Sequence, residues 1–137
     1  MTNEQWQQAE KALGNIYGYV KLKIDGYDIT INLERWGKYS LAMVVYVNGF
    51  IKFEHLDKDC EERRRFYSRK EKSLLNQKQK MALKKESKRF QKKFTEEHKL
   101  TYEYYEPVWK CFRTMKNHFI KNNQSIEVIE IVGAGEK

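Results

Sequence analysis

Proline is nearly missing from this chain: one residue in 137, Pro107, beside seven glycines. That composition excludes proline-rich linkers and collagen-like repeats. Only two cysteines are present, Cys60 and Cys111. Two thiols make no disulfide framework, and a reduced cytosolic state is expected for both. Long apolar runs are also missing. The longest, Leu41 to Val47, is seven residues with Tyr46 inside it, far short of the roughly 20 needed to cross a bilayer. Met1 to Trp6 shows no basic region leading into an apolar one, so no secretory signal and no membrane partner are expected. The chain reads as cytoplasmic, with no lipidation motif at either end.

What remains is globular and basic. Apolar residues make up 40% of the chain and aromatics 14%, enough for a core in a chain of one-domain length. Lys and Arg number 27 against 19 Asp and Glu, a net charge of +8. A polyanionic partner is the first expectation from such an excess.

The period of the pattern changes along the chain. Trp6, Ala9, Ala12 and Leu13 repeat at helical spacing behind a cap at Thr2 or Asn3, and Gly14-Asn15 stops the helix. From Tyr17 to Leu56 the period is two. Asp25-Gly26 and Asn48-Gly49 are hairpin dipeptides, and Gly37-Lys38 marks a further turn. Residues 17–56 therefore predict a four-stranded antiparallel meander, with Leu41 to Val47 covered on both faces and the fourth strand over 50–56. Residues 59–94 hold no Gly or Pro and are rich in helix formers. They predict a helical segment about 54 Å long if unbroken, projecting from the body or breaking near Ser73 to Gln77. Pro107 fits the first turn of a helix over 107–122, striped by Val108, Trp109, Phe112, Met115, Phe119 and Ile120. Ser125 to Val132 reads as a last strand on the meander's edge, and 133–137 as a flexible tail. The expectation is one α+β domain of order α-β-β-β-β-α-α-β.

The charge is segregated. Residues 59–94 carry 14 Lys and Arg against five acids, a net of +9, while the rest of the chain carries 13 against 14. Charge runs on helices are usually solvated faces. Concentration of the whole excess in one segment favours contact with phosphates. Two patches are expected to bind nucleic acid or another partner. One is Arg63, Arg64, Arg65, Arg69, Lys70 and Lys72; the other is Lys84, Lys85, Lys88, Arg89, Lys92 and Lys93. A rival reading uses the seven-residue repeat Cys60, Tyr67, Leu74 and Met81 as a stripe through which the long helix dimerises. The chain is then a monomer or a homodimer according to the reading.

Chemistry of other kinds has little support in the residues. His55 and Cys60 lie five apart, and Cys111 and His118 seven apart; neither is a zinc-motif spacing. No metal and no cofactor is expected. GxSxG, P-loop, GxGxxG and HExxH motifs are missing. The carboxylates Glu96, Glu97, Glu103 and Glu106 read as an acidic flank rather than a nuclease centre. A non-enzymatic protein with no catalytic residues is expected. Tyr27, Trp36 and Tyr39, beside turns, are candidates for exposed stacking surfaces.

Lys84-Lys85-Glu86-Ser87-Lys88 resembles the lysine motif of double-stranded-RNA-binding domains. Four predicted strands before the helix and the missing glycine-proline-histidine loop exclude membership. A second resemblance covers most of the chain. Gly18-Tyr19-Val20-Lys21-Leu22, Asp25-Gly26-Tyr27 and Tyr46-Val47-Asn48-Gly49, followed by the Lys-rich segment, look like small orphan proteins of phages and mobile elements in Firmicutes-type bacteria. Some of those are anti-CRISPR proteins. The resemblance implies a stoichiometric inhibitor of a Cas nuclease in the bacterial host cell. Its partner is then DNA, RNA or a Cas-type ribonucleoprotein. No inhibitory residue carries over.

Overall fold

A computed structural model describes residues 1–98 and 100–133. The chain is α+β, with helices and antiparallel sheet. It divides into two compact units. One is built from Met1–Ser68 and Tyr105–Lys137, the other from Arg69–Tyr104.

The first unit, the body, begins with α1 (Asn3–Ala12). Thr2 and Gln5 cap it reciprocally, side chain to backbone in both directions, which satisfies two of its free N–H groups. The strands β1 (Tyr19–Ile24), β2 (Tyr27–Arg35) and β3 (Leu41–Val47) follow. Asp25 and Gly26 both have positive φ, 46° and 89°, the backbone of the tight turn expected between β1 and β2. Alternation buries Val20, Leu22 and Ile24 of β1 against Ile29 and Ile31 of β2. β3 is covered on both faces: Met43, Val45 and Val47 join the main core, Ala42 and Val44 a smaller cluster with Val108.

The fourth meander strand does not form. Asn48 and Gly49 turn with φ of 54° and 84°, and Val47 bridges Phe50, but the ladder stops there. Residues Phe53–Asp57 instead form a short helix, α2. The edge of β3 is taken by β6 (Val108–Trp109), which pairs with Met43 and Val44. Val45 N–H donates to Pro107 O at 2.8 Å. Pro107, which lacks an N–H, lies at this sheet edge and does not open a helix; α6 begins five residues later (Phe112–Asn122). The last strand, β7 (Ile126–Val132), pairs antiparallel with β1 as expected. The five-stranded order is β6-β3-β2-β1-β7. Met115 and Phe119 of α6, with Ala9 and Ala12 of α1, complete the core. Of the expected tail, 134–137 lies outside the described residues.

The largest departure concerns 59–94, which is not one helix. It runs as α3 (Glu61–Phe66), β4 (Ser68–Ser73), α4 (Gln77–Lys84) and α5 (Lys88–Glu97). Phe66 and Tyr67 are fully buried in the body's core, and Tyr67 is extended at φ −101°, ψ 150°. Beyond them β4 pairs with β5 (Thr101–Glu106). Asn76 and Gln79 form a reciprocal capping box at α4, and Ser87 accepts from Phe90 N–H at α5. Short polar side chains that bond the backbone locally break a helix as readily as they start one. The expected break at Ser73 to Gln77 is present, as the turn between β4 and α4.

Candidate nucleic-acid interface

The basic segment divides at the boundary of the two units, and its two parts are used differently. In the body, α3 presents three consecutive arginines in its last turn. Arg65 is turned inward, its side chain 24% exposed. It donates to Asp25 Oδ2 at 2.7 Å and Asn123 Oδ1 at 3.1 Å, and pairs with Glu61 at 2.5 Å. Arg63 stacks on Tyr105 with 4.1 Å from its guanidinium carbon to the ring centre, and donates to Leu56 O. Arg64 is exposed and lies 3.6 Å from Asp59. Of this triplet, Arg63 and Arg65 hold the body together and only Arg64 faces outward.

The second unit is where unpaired positive charge collects. Arg69–Tyr104 carries twelve Lys and Arg against five Glu, a net of +7 in 36 residues; the remainder of the chain carries 15 against 14. Arg69 is bound by Glu71 at 2.8 Å and by Glu103. Among the described residues, Lys70, Lys72, Lys84, Lys85, Lys88, Arg89, Lys92 and Lys93 make no ion pair, and all but Lys70 are exposed. Lys78 and Lys80 on α4 share that environment. They were not among the residues expected to bind, although they lie inside the same basic run.

Helical geometry sorts these cations. On α5, Lys88 and Lys92 form one row and Arg89 and Lys93 the adjacent row. Phe90 and Phe94 lie on the opposite side. The two rings stack at 6.0 Å, and Phe94 stacks on His98 at 4.4 Å. They line a groove of about 260 Å³ with Leu75, Ala82 and Leu83, edged by Gln79 and Glu86. None of the described residues of 69–104 is buried, and Leu74, Met81, Phe90 and Tyr102 are left exposed. A unit this small gains little from its own core, so its apolar surface is available to a partner.

The dimerisation stripe dissolves in this arrangement. Tyr67 is in the body's core, Leu74 is in the turn after β4, and Met81 is on α4. No continuous helix joins them. The turn-adjacent aromatics behave differently from one another: Tyr39 is 90% exposed and Trp36 38%. Tyr27 stacks edge-on against Phe66 at 5.3 Å.

The fold also gathers what the sequence spacing keeps apart. His55, Cys60 and Glu62 bring one ligand atom each to within 4.8 Å of one another at the junction of α2 and α3. The Cys60 thiol donates to His55 O at 3.6 Å. Tyr67 lies close enough that burial first, then the charges of Cys60 and Glu62, push its phenol up to about 12.

No helix among the described residues is long and apolar enough to cross a membrane. Scans against protein-family models, curated proteins and solved structures each returned no match.

Proposed function

We propose that this chain is a non-enzymatic binding protein that engages nucleic acid, or a nucleic-acid-processing ribonucleoprotein, through the unit Arg69–Tyr104. One observation carries the reading: nearly the whole charge excess, +7 of +8, belongs to a compact unit whose lysines have no internal partners among the described residues. Cations without counter-charges on two short capped helices are free to neutralise phosphates, and each contact releases condensed counterions. Lys84, Lys85, Lys88, Arg89, Lys92 and Lys93 are the principal contacts, joined by Lys70, Lys72, Lys78 and Lys80. Exposed Phe90, on the other side of α5 from these rows, offers an apolar face of the same unit to the partner. In line with the resemblance of its hairpin motifs, the protein is assigned to a phage or mobile element and to the cytoplasm of a bacterial host. Inhibition of a Cas nuclease is the activity this implies.

The test is a salt titration of binding to DNA, to RNA and to a guide-loaded Cas nuclease. Affinity is expected to fall steeply and linearly on logarithmic axes as salt rises. Failure to bind any of the three at low salt removes the proposal.

A further inference from the structure

The body holds a second candidate site, independent of the basic unit. Three chemically different ligands meet at the α2–α3 junction: His55, Cys60 and Glu62, all half-buried. Their ligand atoms lie at most 4.8 Å apart. A tetrahedral zinc ion, with bonds of about 2.0–2.3 Å, sets its ligand atoms about 3.3–3.8 Å apart. Binding at tetrahedral spacing draws the three ligand atoms inward from that 4.8 Å limit.

A second observation points to the same place. Among the described residues, three buried side-chain atoms have no hydrogen-bond partner in the protein: His55 Nδ1, Arg63 Nε and Tyr67 Oη. All three belong to the stretch 55–67 that surrounds the cluster. Tyr67 is fully buried, and its hydroxyl feels the charges of Cys60 and Glu62. Buried polar atoms without partners are rare and costly. Of the three, His55 Nδ1 belongs to the cluster itself and is the atom that a metal ion can engage. Helix α2, five residues long, has no buried residue of its own and meets α3 through the Arg63 and Cys60 hydrogen bonds to its carbonyls.

We propose that His55, Cys60 and Glu62 bind a divalent transition-metal ion, with zinc as the physiological occupant, and that this ion staples α2 to α3. The donor set is one thiolate, one imidazole and one carboxylate, which suits a borderline-soft cation better than magnesium or calcium. Binding displaces the Cys60 thiol proton to solvent. The thiolate and carboxylate then balance the two positive charges, leaving a neutral half-buried site. The fourth position is open to water.

The full-length chain, untagged, reduced and stripped of metal, is titrated with Co²⁺ and then Zn²⁺. One equivalent of Co²⁺ is expected to bind with a thiolate-to-cobalt charge-transfer band in the near ultraviolet, and Zn²⁺ is expected to displace it. Cys60→Ser must abolish the band and His55→Gln must weaken binding, while Cys111→Ser leaves both intact. Circular dichroism of each variant separates loss of ligand from loss of fold. No thiolate band in the wild-type chain, or a band that survives Cys60→Ser in a folded protein, overturns the site. The orphaned atoms are then hydrated by ordinary buried water.

Discussion

Arg65 Nη1 lies 2.7 Å from Asp25 Oδ2, and this pair ties the tip of the β1–β2 turn to α3. Asp25 also accepts the backbone N–H groups of Gln124 and Ser125 at 2.9 and 2.8 Å. One carboxylate thus joins the first hairpin, α3 and the segment that leads into β7. Those two amides, followed by the Arg65 guanidinium, hold its carboxyl below the usual carboxylate range.

A carboxyl lowered in the folded state contributes stability above its unfolded pKa and loses it as pH falls through the folded value. His118 acts in the same direction at higher pH. Burial lowers its pKa, and its Nε2–H donates to Arg64 O at 2.8 Å. Below the ordinary histidine value of 6.5, the unfolded chain takes up a proton that the folded chain resists. Stability is therefore expected to fall in two stages on acidification, one below about pH 6.5 and one below about pH 4. His118→Gln removes the first stage and Asp25→Asn the second. Melting temperatures across pH check both, and a single unshifted stage in either variant refutes its assignment.

The arginines and lysines should separate by what they do. Arg65→Ala is expected to lower the melting temperature and leave the salt slope of nucleic-acid binding unchanged. Lys84→Ala, Lys88→Ala and Lys92→Ala should each leave stability within about 0.5 kcal/mol. Each should reduce the salt slope by about 0.7–0.9 for every phosphate left without its cation. Fluorescence anisotropy over a range of salt concentrations measures this.

Gly18 has no room for a side chain. A Cβ there would sit 1.8 Å from Ala12 O, a backbone atom that cannot swing aside. Gly18→Ala is expected to cost about 1–3 kcal/mol, read by urea unfolding. Gly26→Ala meets no neighbour within 4 Å, but its φ of 89° disfavours any Cβ. Its cost is therefore conformational rather than steric.

The two cysteines should react at different rates. Cys111 is exposed at the start of α6, where the neighbouring Thr114 holds its thiol below the ordinary value. Cys60 is half-buried. Alkylation followed by mass spectrometry is expected to modify Cys111 first. Equal rates at both thiols contradict the burial of Cys60.

Much of the body was legible in its turns. Asp25-Gly26 and Asn48-Gly49 both adopt the positive-φ backbone that their residue types favour. The period of two placed β1, β2 and β3. What failed was long-range. Phe50 to Leu56 alternates like a strand, yet Pro107–Trp109, more than fifty residues away, takes the edge it needed. Phe66 and Tyr67 read as positions on a basic helix, but the core claims both and bends the chain out of helix. The break at Asn76 was expected from the sequence, but the second one, at the Ser87 cap, lies in a run of helix formers that hid it. The basic interface was legible as charge. Which arginines are free was not, because Asp25 and Tyr105, the partners of Arg65 and Arg63, are distant in sequence.

The Ser68 hydroxyl donates to Val108 O at 2.8 Å. The chain therefore leaves the body and re-enters it at neighbouring points, with Arg69–Tyr104 intervening in sequence. Such a layout is that of an insertion. The five-stranded sheet and the helices α1, α2, α3 and α6 lie wholly outside it. Selection can exchange, lengthen or recharge the intervening cassette, altering what is bound, while the scaffold that carries it stays as it is.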